Sequence, residues 1–159
     1  MNTKLIKSKK GFTLIEILVV VGIIAVLAAI VLVAINPARQ FKQAHDTQRL
    51  SNVNAILNAI GQNITDNQGS FKCNGVVTSI PTTAGYMKST ASAPDIDIYP
   101  CLVPTYMANL PFDPTDASAK GSTTASVGYN TRYQVIQDAN GRITISAVGE
   151  ITSSISVTR

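Results

Sequence analysis

From Phe12 to Ile35 the chain runs 24 residues with a single charge, Glu16, and seventeen of the 24 are Phe, Leu, Ile or Val. As a helix this stretch measures roughly 36 Å, enough to cross a bilayer core of about 30 Å. Its apolar residues favour insertion by about 5–10 kcal/mol in total, whereas one carboxylate costs about 2.5–3.5 kcal/mol at mid-span and less near an end. The segment therefore inserts despite Glu16, and hydrophobicity gives no reason for the glutamate.

The flanks orient the span. Lys4, Lys7, Lys9 and Lys10 precede it with no acid among them, and removing residues 1–11 leaves nine basic against nine acidic residues. The formal charge of +4 thus belongs to a tail that holds its end on the cytoplasmic side, with residues from about 36 onward outside. Cys73 and Cys101, the only cysteines, then lie in an oxidising compartment, which predicts a disulfide worth roughly 3–4 kcal/mol. Sequence does not fix their distance, so two unpaired buried thiols stay open as the alternative.

An ordinary secretory signal has a shorter apolar core and no acid inside it. A plain anchor fits the length and leaves Glu16 without a purpose. A cut between Gly11 and Phe12 gives it one: glycine offers a protease close access to the backbone, and cleavage leaves a largely cationic amine on Phe12, one helical turn from Glu16.

The residues KKGFTLIEILVVVGIIAVLAAI, Lys9 to Ile30, resemble the class III leader and N-terminal helix of type IV pilins and of the pseudopilins of type II secretion. The resemblance implies that a prepilin peptidase cuts after Gly11 and methylates the amine of Phe12. It implies that Glu16 neutralises the amine of a neighbouring subunit as helices pack into a homopolymeric fibre built by an assembly ATPase and platform. A carboxylate in hydrocarbon is tolerated mainly beside an opposite charge, and a lone subunit has its own partner only imperfectly placed.

Beyond the span, Phe41, Ala44, Gln48, Val53, Ile56, Leu57, Ile60 and Ile64 recur every three or four residues, marking one face of a helix that runs to about Asp66. Arg39, Lys42, Asp46, Arg49 and Asn54 fall mostly on the other side. Asn36-Pro37 predicts a kink, or a restart with Asn36 as cap and Pro37 first in line. Residues 69–126 read as loop-rich, with short strands such as Gly75 to Ile80. Val127, Tyr129, Thr131, Tyr133 and Val135 alternate, Asn140-Gly141 signals a hairpin, Ile143, Ile145 and Ala147 alternate again, and Ile151, Ser153, Ile155 and Val157 suggest a third strand. The fold class is α+β and pilin-like: residues 1–11 a removed leader, 12–35 a transmembrane or fibre-core half-helix, 36–66 an amphipathic half-helix, and 67–159 a head with a C-terminal antiparallel sheet on the helix.

No cofactor is expected. Leu110-Pro111-Phe112-Asp113-Pro114 resembles a stretch in major pseudopilins, some of which bind calcium nearby. Asp113 and Asp116 are therefore the weak metal candidates, too few by themselves for a hard cation. His45, the only histidine, has neither a nucleophile nor a second ligand, and no hydrolase, zinc or phosphate-loop motif occurs, so no enzyme is expected. Nucleic acid is a poor partner: Tyr86, Tyr99, Tyr106, Tyr129 and Tyr133 with Lys88, Lys120, Arg132, Arg142 and Arg159 show no basic run. Thr115 to Ser126 reads as a surface loop rather than a glycan carrier. Many type IV pilins bracket a C-terminal loop with their disulfide; Cys73 and Cys101 do not, so the adhesive role tied to that loop is not carried over. The expected functions are pilus subunit, alternatively pseudopilin, alternatively a membrane-anchored extracytoplasmic binding module.

Overall fold

The computed structural model describes residues 11–89, 91–121 and 128–159. They fall into two compact units that divide between Gln40 and Phe41. In the first, α1 spans Leu14–Ile35 without a break at Gly22, and none of its 22 residues is buried. At 1.5 Å per residue it is about 33 Å long. So many β-branched residues make a poor helix in water, but in hydrocarbon a helix is the form in which a single segment satisfies its own backbone.

Asn36 ends α1 in the left-handed region, φ 47° and ψ 73°, a conformation asparagine tolerates better than other side-chain-bearing residues. Its side-chain oxygen accepts from the Arg39 amide at 3.3 Å, and Pro37 takes the first position of α2, Pro37–Asp66. One residue thus closes a helix and opens the next, the restart that Asn36-Pro37 predicts.

The second unit is built on α2, which contributes Val53, Ile56, Leu57, Ala59 and Ile60 to a core shared with the sheet residues Tyr133, Val135, Ile143, Ile145 and Ala147. Two expectations about this helix need correction. Phe41, Ala44 and Gln48 are exposed, Phe41 to 66 %, so the buried face starts later; and Arg49, placed on the outer side, is only 2 % exposed. Three carboxylates gather around it, a compensation that helical periodicity cannot reveal.

The head carries β1 (Lys72–Cys73) paired with β2 (Val76–Val77), then β3 (Gly85–Lys88), the short helix α3 (Tyr99–Leu102), β4 (Asn130–Gln137), β5 (Ile143–Ala147) and β6 (Ile155–Thr158). The last four strands form an antiparallel sheet in the order β3-β4-β5-β6. Thr131, Tyr133 and Val135 alternate inward along β4 as their spacing predicts, while Val127 and Ser122 to Ser126 lie outside the described residues. The β4–β5 turn closes with the Gly141 amide donating to the Asp138 carbonyl at 3.0 Å and Gly141 at φ 82°.

The third C-terminal strand is shorter than its pattern. Ile151 and Ser153 are exposed and only Ile155–Thr158 pairs with β5, because the Glu150, Ile151 and Thr152 amides donate instead to the Asp46 carboxylate. β3 is a four-residue strand within residues 69–126, where the sequence predicts mostly loop. It lies so close to the 94–95 segment that a Cβ on Gly85 would stand 1.8 Å from the Pro94 carbonyl oxygen.

Candidate processing and assembly site

Gly11, Phe12 and Thr13 precede α1 without regular structure. Gly11 is exposed with nothing within 4 Å of where a Cβ would sit, and Phe12 is 85 % exposed. A peptide bond inside a helix must unwind before a protease can hold it extended. The Gly11–Phe12 bond sits just ahead of the helix cap, and nothing among the described residues covers Gly11.

Thr13 is that cap, with φ −78° and ψ 152°. Its amide and hydroxyl both donate to Glu16 Oε2 at 2.8 Å, and the Glu16 amide donates back to Thr13 Oγ1 at 3.3 Å. This is a capping box, in which two side chains reciprocally satisfy amides that a helix start leaves orphaned. The pattern Thr13-Leu14-Ile15-Glu16 before an apolar run is its sequence signature, yet the acid alone draws attention in the sequence. Thr13 supplies a neutral partner, which lowers the cost of the carboxylate without cancelling its charge.

The carboxylate oxygen already lies on the Thr13 amide, so it is one residue from the nitrogen that cleavage before Phe12 would free. Gly11, Phe12 and Glu16 are thus gathered by the first helical turn and its approach. The cysteines and Asp113 lie in the other unit and belong to the head.

Within the head, Cys73 on β1 and Cys101 on α3 are joined in a disulfide across 28 residues of sequence. Asn63, buried on α2, braces both partners: its side-chain amide donates to the Lys72 and Cys101 carbonyls at 2.8 Å each, and its oxygen accepts from the Lys72 amide at 2.9 Å. The last turns of α2 are thereby tied to both sides of the staple.

A second polar centre forms around Arg49. Its guanidinium meets Asp113 through two bonds, Nε to Oδ2 at 2.7 Å and Nη2 to Oδ1 at 3.0 Å, and reaches Asp46 at 2.8 Å and Glu150 at 3.3 Å. Burial pushes the Asp113 carboxyl up, but Arg49 and the Thr115 and Asp116 amides outweigh it and hold the group at about 2. Burial likewise raises Asp46 and is overcome by the Glu150, Ile151 and Thr152 amides and by Arg49, leaving it at about 2. The Arg49 guanidinium is pushed the other way, chiefly by its bonds to Asp113.

His45 Nδ1 lies 2.7 Å from Glu150 Oε2, which makes it part of this network rather than a free surface residue. Asp116 pairs with Arg132 at 2.7 Å, and Arg132 sits 5.1 Å above the Tyr86 ring. Both metal-candidate carboxylates are thus held by arginines, and no group of three His, Cys, Asp or Glu suited to a metal occurs among the described residues. Tyr99, Tyr129 and Tyr133 are core residues, so the tyrosines do not gather on one surface.

The model of the prokaryotic N-terminal methylation motif matches residues 6–32. No curated protein and no solved structure matches the chain. The match covers the basic leader, the Gly11–Phe12 junction, Glu16 and most of α1, the one helix among the described residues long and apolar enough to anchor the chain in a membrane. Residues 6–32 therefore carry the prokaryotic N-terminal methylation motif, the class III prepilin leader of type IV pilins and pseudopilins, and this motif ahead of a pilin-like α+β fold supports a type IV pilin-like or pseudopilin-like protein.

Proposed function

We propose that this chain is a structural subunit of a type IV pilus. In this reading it waits in the cytoplasmic membrane with residues 1–11 inside and the head outside. A prepilin peptidase hydrolyses the Gly11–Phe12 bond and methylates the freed amine of Phe12. The mature subunit then polymerises with copies of itself through its N-terminal helix, driven by the assembly ATPase and platform.

The observation that carries the reading is α1 itself: 22 residues with none buried, entered through an open Gly11–Phe12 bond and a capped Glu16. An apolar surface of this length needs lipid in one state and protein in another. Moving between them exchanges one apolar environment for another, so the driving force must come from packing and polar contacts. A carboxylate meeting a cation from the next copy is such a contact, and breaking a buried pair of this kind costs about 3–5 kcal/mol.

The reading needs no cofactor. Calcium at Asp113 and Asp116 would have to displace Arg49 and Arg132, and we expect a chelator to leave the head's melting temperature unchanged. The pseudopilin reading differs in where the fibre goes. Counting surface fibres by electron microscopy with and without the gene decides between them. Fibres that contain this chain and vanish without it support the pilus; an unchanged fibre count combined with failed protein export would move the chain to secretion.

A further inference from the structure

After Ile35 the chain reads Asn36-Pro37-Ala38-Arg39-Gln40-Phe41-Lys42, and no acid stands between Glu16 and Asp46. Arg39, Phe41 and Lys42 are all exposed, and neither cation has a carboxylate partner among the described residues. Elsewhere Arg49, Lys88, Arg132 and Arg142 each lie against an acid, whereas Lys72, Lys120 and Arg159 on the head share with Arg39 and Lys42 the lack of a carboxylate partner among the described residues. For Arg39 the place is also an unfavourable one, because a helix start favours acids and α2 has none in its first turn. A partner outside the chain would reverse that preference.

Position says what the partner is. The bilayer core is about 30 Å thick and the headgroup layers add about 5–8 Å on each side. Arg39 and Lys42 come only four and seven residues along the chain after Ile35, the last residue of a helix that matches the core. Their long side chains can reach back to the interface, and at i,i+3 they share a face of α2. The groups at that depth are phosphodiesters, which a guanidinium binds with paired hydrogen bonds and an ammonium binds as a point charge.

We infer that Arg39 and Lys42 hold the phosphate headgroups of anionic phospholipid where α1 leaves the membrane, with Phe41 seated beside them at the acyl boundary. The inference rests on α1 as a membrane span and not on fibre formation, so it stands or falls apart from the pilus reading. It assigns the subunit a lipid-selective collar that must be shed when the helix leaves the bilayer.

The chain has no tryptophan, so full-length protein carrying Phe41→Trp reports on this site alone. It would be reconstituted into phosphatidylcholine vesicles containing a few per cent of headgroup-dansylated phosphatidylglycerol or, separately, phosphatidylcholine. Energy transfer from the introduced indole should reveal local enrichment of the anionic lipid, about fivefold for each cation. The preference should vanish in Arg39→Gln/Lys42→Gln and in about 1 M salt, where the screening length falls to about 3 Å. It should survive added inorganic phosphate. Equal transfer to the two lipids, or a preference that outlasts the double substitution, overturns the inference, as would its abolition by free phosphate. Equal transfer with impaired assembly of the double variant would assign the cations to a neighbouring copy instead. Release of the wild-type chain by alkaline carbonate would remove the span, and the collar with it.

Discussion

Glu16 has two contacts to lose, and three substitutions separate them. Glu16→Ala removes both the acceptor for the Thr13 amide and hydroxyl and the negative charge. Glu16→Gln keeps an amide oxygen for the 2.8 Å bonds from Thr13 and removes only the charge. Thr13→Val does the reverse: it deletes the hydroxyl, and with it two of the three capping bonds, while the carboxylate keeps the Thr13 amide. A lost cap costs about 1 kcal/mol, about a fivefold effect on any step that needs the helix start. A lost charge pair between protomers costs about 3–5 kcal/mol for each docked subunit, about two to four orders of magnitude in the addition equilibrium. The assay is the ratio of sheared surface fibre to mature membrane-resident subunit by immunoblot. We expect Glu16→Gln and Glu16→Ala to remove fibres almost equally, with mature subunit still present, and Thr13→Val to lose no more than a few-fold. Fibres at the wild-type level in Glu16→Gln, together with their loss in Thr13→Val, would reduce Glu16 to a helix cap and refute the pairing between protomers.

Other expectations concern the head. Replacing Cys73 and Cys101 by Ser should cost about 3–4 kcal/mol and lower the unfolding midpoint by about 10–20 °C, read by thermal melts in detergent. Arg49→Met leaves Asp113 and Asp46 without their cation and should cost about 3–5 kcal/mol in the same melts, much of it recovered when Asp113→Asn is added. Asp113 and Asp46 are held at about 2 in the folded chain, below the ordinary aspartate value of about 3.9. Their stabilisation is present in full above about pH 4 and is lost as pH falls through about 2, so the melting temperature should be flat near neutrality and drop below pH 4. Gly85→Ala should destabilise by about 2–4 kcal/mol, since its methyl would fall on the Pro94 carbonyl; unchanged hydrogen exchange in β3 would contradict that.

Much of this architecture can be read from residues because the signals are local. The apolar run defines α1, Asn36-Pro37 the restart, and Asp138 to Gly141 the hairpin between two alternating strands. Glu16's cap is equally local, four residues of a known pattern, and is eclipsed by the stronger oddity of an acid in an apolar run. What sequence hides is long-range compensation. Arg49 reads as an outer-face charge because its partners Asp113 and Glu150 stand 64 and 101 residues away, and Asp46 cuts the last strand short by taking amides 104 to 106 residues distant. β3 is four residues inside a proline-rich stretch, too short for alternation to show. It is held from one side by β4 and from the other by backbone bonds to Ile96. The disulfide follows from compartment in the sequence, whereas its bracing by Asn63 needs three segments in place.

The most direct test of the account is the intact mass and N-terminal fragment spectrum of this chain recovered from sheared fibres. A mature chain that begins at Phe12 and carries one methyl group on its amine is the predicted result. A chain in those fibres that keeps residues 1–11, or begins at Phe12 with an unmodified amine, would contradict it.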